Sequence, residues 1–239
     1  MAKERRKIIQ AGRLWMAVQY TVIHNQNQSA RREARSQIST PARESLNAKL
    51  SWQKLMLILA ANFAKSDLVV TLTYRDSNLP KHRDEANKRL DNFIRAFRAH
   101  RKTLVQDFIY VRTTEGYHSG GRLHHHLIIN TTGADYDIIR QLWKRNGDNI
   151  DFEKFGFDGA ERWAKYLTKE PREKGRRHVG DRTWSTSRNM KKPIVSYEFV
   201  LEGMDLSPPP GASVTDKTEC SNTFGRFCHM IALLPEVSN

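Results

Sequence analysis

Cysteine is scarce: Cys220 and Cys228 are the only two in 239 residues. That is too few for a disulfide scaffold and points to a reducing, cytosolic setting. Long apolar runs are missing too. No stretch approaches the ~20 uninterrupted apolar residues of a membrane-spanning helix, and the basic N-terminus lacks the apolar core of a signal peptide. The phosphate-cradling loop GxxxxGK[ST] does not occur, which excludes a P-loop ATPase. Acidic residues are outnumbered, 26 Asp and Glu against 40 Lys and Arg, leaving a formal charge of +14. Such a field favours a polyanionic partner and fast, salt-sensitive association. No internal repeat is visible.

What is present reads as alternating helices and strands. Residues 1–44 are polar and basic and are expected to form a weakly ordered arm, although the patch Leu14–Val22 suits either a strand or a helix. Ser45–Ala64 carries leucines near every fourth position and predicts a helix. DLVVTLTYRD switches to period two and predicts a strand. Asp84 is placed to cap a helix whose Leu90, Phe93, Ile94 and Phe97 form one stripe. DFIYVRTTE and RLHHHLIIN are strand-like, and GYHSGG between them signals a hairpin. A helix over ADYDIIRQLWKRNG, stopped by Gly147, precedes a short strand in DNIDFEKF and a helix in DGAERWAKYLTKEP, with Asp158 as its cap. A basic loop then leads to the strand PIVSYEFVL, and SPPPG marks a boundary. The expected fold is α+β, a largely antiparallel sheet with helices packed on it. The expected organisation is an arm (1–44), a main domain (45–205) and a C-terminal extension (206–239).

The chemistry concentrates in GRLHHHLIIN. Side chains alternate along a strand, so His124 and His126 share one face with Arg122. Leu123, His125, Leu127 and Ile129 share the other, which is apolar, and His125 is expected to point coreward as a neutral, hydrogen-bonded ring. Two imidazoles side by side suit one divalent metal. If the hairpin pairs Glu115 with Arg122, the carboxylate joins that face as third ligand, with His118 in the turn a weaker candidate. Imidazoles plus one carboxylate, with solvent positions open, suit Mg²⁺ or Mn²⁺ acting on phosphate oxygens. Further on, WAKYLTK places Tyr166 and Lys169 at i and i+3, on one helical face. A tyrosine is a poor nucleophile unless its phenolate is stabilised, which a neighbouring Lys can do.

Thr71-Leu72-Thr73-Tyr74 on a strand, then His-x-His on a strand, then Tyr-x-x-Lys on a helix, resemble in that order the rolling-circle replication initiators (Rep proteins) of the HUH endonuclease superfamily. The resemblance covers roughly Asp67 to Val200. It implies an RRM-like central antiparallel sheet flanked by helices, and an endonuclease domain over 45–205. It also implies metal binding by His124 and His126 with Glu115, and nucleophilic attack by Tyr166 assisted by Lys169. The product would be a 5′-phosphotyrosine and a free 3′-OH on single-stranded origin DNA. The segment WSTSRNMKKP is similar to the stretch after the tyrosine helix in Rep proteins of some phages and plasmids. DNA contacts are thereby expected from Thr71, Thr73, Tyr74, Arg122, Arg182, Trp184, Arg188, Lys191 and Lys192. Host helicase and polymerase would be partners, in the cytoplasm of a bacterial host. Two departures stand out. The middle histidine, His125, occupies a place usually held by a bulky apolar residue, and Arg162 stands where some relatives carry a second tyrosine. The alternatives are a transposase or relaxase of the same chemistry, or a non-catalytic nucleic-acid-binding protein.

Overall fold

The computed structural model describes residues 3–22, 41–116, 121–169, 183–223 and 225–236. Among them lie ten strands and four α-helices in two units. One unit is built from both ends of the chain, the other from Ser39–Leu59 and Phe63–Met190. No helix among the described residues is long and apolar enough to cross a membrane.

The middle unit holds a five-stranded antiparallel sheet in the order β6-β3-β5-β4-β7. Its strands are β3 (Leu68–Thr73), β4 (Tyr110–Glu115), β5 (His124–Ile129), β6 (Ile150–Lys154) and β7 (Trp184–Thr186). The helices are α1 (Pro41–Asn62), α2 (Arg83–Thr103), α3 (Asp135–Trp143) and α4 (Gly159–Leu167). The expected α+β class and the main elements hold. β7 was not expected; it is a three-residue edge strand inside the basic loop.

Alternation decides what each sheet face meets. Leu68, Val70 and Leu72 of β3 and Leu127 and Ile129 of β5 join Leu90, Phe93, Ile94 and Phe97 of α2 and Ile139 and Trp143 of α3 in one core. Each such side chain is worth about 1.5–3 kcal/mol on burial. α2 opens with Asp84 and Glu85 and closes with His100, Arg101 and Lys102, charges that complement its dipole. The residue at its N-cap is His82 rather than Asp84, because the helix starts one residue earlier than the stripe suggests. Asp158 does precede α4, but its side chain makes no capping hydrogen bond. Between α2 and α3, Arg101 and Asp135 form a buried ion pair at 2.8 Å. Asp135 also accepts from Thr132 N (2.7 Å), and Arg101 donates to Asn130 O (2.7 Å).

Gly147 does not stop a helix, since α3 ends at Trp143. Its backbone lies against β3 so closely that a Cβ would fall 2.2 Å from the Thr73 carbonyl oxygen. Beside it, Trp143 Nε1 donates to that same carbonyl (2.7 Å).

The second sheet has the order β8-β1-β2-β10-β9, also antiparallel. It comprises β1 (Lys3–Ala11), β2 (Leu14–Thr21), β8 (Ile194–Leu201), β9 (Ser213–Asn222) and β10 (Gly225–Leu233). Where an arm and an extension were expected, the two segments pair with each other, Tyr20 lying opposite Phe227. The local reason is a core of Trp15, Ala17, Cys228, Met230, Ala232 and Leu206 on one face. The basic residues Arg5 and Lys7 disguise β1 as an arm, but they flank the ring of Tyr197 at 4.5 and 5.9 Å. Cys220 and Cys228 are free thiols, and their registers put them on opposite faces.

Candidate metal centre

β4 and β5 pair with Thr113 opposite His126 and Glu115 opposite His124. The expected partner of Glu115 was Arg122, so the register is two residues further on. An even displacement keeps the face, and Glu115 still joins the two histidines. Gly116 makes the turn possible: at φ +93°, it packs so tightly that a Cβ would meet the Arg122 carbonyl oxygen at 2.2 Å.

Three ligand atoms converge. His124 Nε2 and His126 Nε2 are 3.1 Å apart, and Glu115 Oε2 is 3.7 and 3.6 Å from them. The far side of each ring is tied down. His124 Nδ1 lies 2.8 Å from the Arg122 carbonyl, which can only accept, so Nδ1 carries the proton and Nε2 offers a lone pair. His126 Nδ1 lies 3.0 Å from Thr71 Oγ1 on β3. Such outer partners orient ligating imidazoles.

A divalent ion suits this set. An ion held roughly 2.1–2.2 Å from each donor, at about 90–120°, needs donor separations of about 3.0–3.8 Å. Glu115 Oε1 is buried without a hydrogen-bond partner, a cost that a bound cation would remove. Glu115, His124 and His126 form the one such group of potential ligands among the described residues. Cys220, Cys228 and His229 do not assemble into one. His118 lies outside the described residues.

Tyr166 faces this group. α4 buries Trp163, Ala164 and Leu167, while the Tyr166 ring, 42 % exposed, meets His126 edge-on at 5.1 Å and Trp163 at 5.5 Å. Burial raises the phenol's pKa above its ordinary value, and the carboxylates of Glu115 and Glu153 add to the effect. Trp163 and Glu153 were not singled out from sequence. Trp163 had a signal, lying three residues before Tyr166 on one helical face.

Other expected site residues fall elsewhere. α4 ends at Leu167, where Thr168 Oγ1 donates to Ala164 O (2.7 Å). Lys169 is exposed beyond that end, so the shared i, i+3 face with Tyr166 does not continue. Tyr74, expected to contact DNA, is buried in the opposite core at 3 % exposure, which takes it out of reach of a strand. Its hydroxyl donates to His125 Nε2 (2.6 Å), and its pKa is pushed well above the ordinary value by desolvation. Thr71 sits behind His126, and Thr73 Oγ1 donates to the Asn149 carbonyl (2.5 Å). Arg122 pairs with Asp76 and with the Tyr74 carbonyl. Trp184 lies in β7 opposite Thr113 and donates from Nε1 to Ser51 Oγ (3.1 Å). Arg188, Lys191 and Lys192 are exposed, and Arg182 is outside the described residues.

His125 is fully buried, as alternation predicts. Its Nδ1 lies 2.9 Å from Thr114 Oγ1, which in turn donates to Asn87 Oδ1 (2.9 Å). With Tyr74 donating to Nε2, the proton sits on Nδ1 and the ring is neutral. Desolvation, reinforced by His124, Arg112, His126 and Arg83, lowers its pKa to about 3.

An antiparallel sheet carrying two histidines and a carboxylate, overlooked by a helix-borne tyrosine, defines an α+β domain compatible with an HUH-type fold. Residues 67–171 match the family model described as Replication-associated protein ORF2, a match consistent with a rolling-circle replication initiator. The matched segment runs from just before β3 to beyond α4, so it contains Glu115, His124, His126 and Tyr166. No curated protein and no solved structure matches the chain.

Proposed function

We propose that this protein is a replication initiator that binds single-stranded origin DNA and nicks it through Tyr166. The observation that carries this is the phenol of Tyr166 lying edge-on to His126, across from Glu115 and His124. A divalent cation, Mg²⁺ or Mn²⁺, held by His124, His126 and Glu115 would polarise the scissile phosphate.

The protein's own groups set the geometry and move the proton. Thr71 and the Arg122 carbonyl keep both imidazoles in one tautomer and orientation. Tyr166 Oη attacks phosphorus, and the bond to the 3′ oxygen breaks. The phenolic proton lost on attack balances the proton gained by the departing oxygen. The products are a 3′-OH and a 5′-phosphotyrosine. Positive charge nearby is needed because Tyr166 sits among carboxylates that hold its proton on. Lys169 is assigned an assisting charge, from the segment after α4. Trp184, Arg188, Lys191, Lys192 and Arg182 are assigned to strand contacts. Without a phosphate-binding glycine loop of its own, the protein would draw on a host helicase and polymerase in a bacterial cytoplasm.

Incubation with a labelled single-stranded origin oligonucleotide and Mn²⁺, followed by a denaturing gel, should give a slower protein–DNA band. Tyr166→Phe should abolish the band while leaving binding nearly intact. A band that persists in this variant would refute the assignment of the nucleophile.

A further inference from the structure

At the end of β4 remote from Glu115, a cleft of about 880 Å³ opens beside the last turns of α2. Tyr110 and Glu115 are five residues apart on one strand, about 17 Å at 3.3–3.4 Å per residue. Tyr110 shares its sheet face with the α2 core, opposite to the histidine face. The cleft is therefore separate from the candidate metal centre.

Its walls carry three cations, Arg98 and Lys102 from α2 and Arg188 from the segment after β7, against one carboxylate, Asp107. None of the three is engaged in an ion pair within the described residues. Arg98 rests over the Tyr110 ring at 5.7 Å. Gln106, also lining the cleft, has a buried Oε1 with no hydrogen-bond partner. At the rim, Val105 takes φ +54° and is 94 % exposed. A β-branched residue rarely adopts that conformation, where glycine is the usual helix-ending choice. The turn that holds it closes α2, with Val105 N donating to Lys102 O and Gln106 N to Arg101 O. Three unpaired cations converging on one concavity are a poor arrangement for folding alone, since their repulsion goes uncompensated.

We propose that this cleft binds backbone phosphates of a nucleic-acid strand outside the scissile segment. This rests on the reading of the chain as a DNA-binding initiator, which supplies the polyanion. The cleft and the histidine face are on opposite sides of the sheet, so flanking DNA can be held without competing for the metal centre. Arg98, Lys102 and Arg188 neutralise the phosphates, and Asp107 opposes them.

The test is binding of fluorescein-labelled single-stranded DNA by anisotropy, without divalent metal and across a salt series, so that nicking plays no part. Short and long oligonucleotides are compared. Losing three phosphate contacts should lower the slope of log K against log salt by about 2 for the long strand. The triple variant Arg98→Ala/Lys102→Ala/Arg188→Ala should show that drop while binding the short strand as the wild type does. Asp107→Asn should tighten the long strand, and Arg98→Lys/Arg188→Lys should keep the wild-type slope. An unchanged slope in the triple variant, or equal loss on both strands, overturns the proposal. So does loss in the lysine variant. Displacement of the long strand by inorganic phosphate or a mononucleotide at equal phosphate concentration would reassign the cleft to a free phosphate. Tyr166→Phe should give the wild-type slope. A slope change with no covalent adduct from the wild type would sink the nicking reading and spare the cleft.

Discussion

Three adjacent histidines on β5 meet two different worlds. His124 and His126 turn their Nε2 atoms towards Glu115, with a tyrosine overlooking them. His125, one residue away on the other face, is sealed among Tyr74, Thr114 and Trp143 and satisfied at both nitrogens. One face leaves its lone pairs unspent and the other consumes them. The difference teaches that residue type sets the chemistry available, while the pleat of the strand decides whether that chemistry is offered outward or used to build a core.

Removing either outer ring is the hardest way to break this contrast. His124→Ala and His126→Ala should each reduce Mn²⁺-dependent nicking to background while the thermal midpoint stays near wild type. Equal loss of nicking per folded molecule in His125→Ala would mean the two faces are not distinct. The converse effect belongs to the core. His125→Ala should cost about 3–5 kcal/mol of stability, from the cavity and from the stranded Tyr74 and Thr114 hydroxyls, as read by urea denaturation. Between the faces stands Thr71. Thr71→Val removes the partner of His126 Nδ1 and should weaken Mn²⁺ binding by roughly 10–100-fold, measured by calorimetry.

Acid sharpens the contrast more gently. The folded pKa of His125 is about 3, below the unfolded value of about 6.5. Between the two, the unfolded chain binds the extra proton, so stability rises with pH. The contribution is complete above about 6.5 and drains away as pH falls towards 3, by about 1.4 kcal/mol per unit. Urea midpoints from pH 7 to 4 should fall less steeply in His125→Gln than in wild type, and parallel curves would exclude the histidine as the cause. The smallest effect concerns Tyr166. Glu153→Gln removes a charge that raises the phenol's pKa, so the rising limb of the nicking rate should move to lower pH. An unmoved limb would show that phenol ionisation does not limit the rate.

Much of this is legible in the sequence because period two is unambiguous in RLHHHLIIN. Which histidines point outward comes directly from it. Glu115 joins them because the register differs by an even number of residues from the one expected. Tyr74 shows the limit. TLTY reads as one motif, yet its last residue lies beyond the end of β3 and turns into the core, where the buried His125 can accept its hydrogen bond. Lys169 departs from expectation because no proline or glycine marks the end of α4; Thr168 bonds back to Ala164 instead. β1 and β2 are hidden because Arg5 and Lys7 look like solvated charges, and because the partners of these strands lie some two hundred residues away.

That last pairing bears on how the molecule is made. With β2 hydrogen-bonded to β10 and β1 to β8, the β1–β2 hairpin is translated long before either neighbour exists. Contacts so distant in sequence form slowly, and bare strand edges invite self-association in the interval. Truncations that stop before residue 213 should leave β2 without its neighbour and be recovered mainly in the insoluble fraction, however well the histidine-bearing sheet folds.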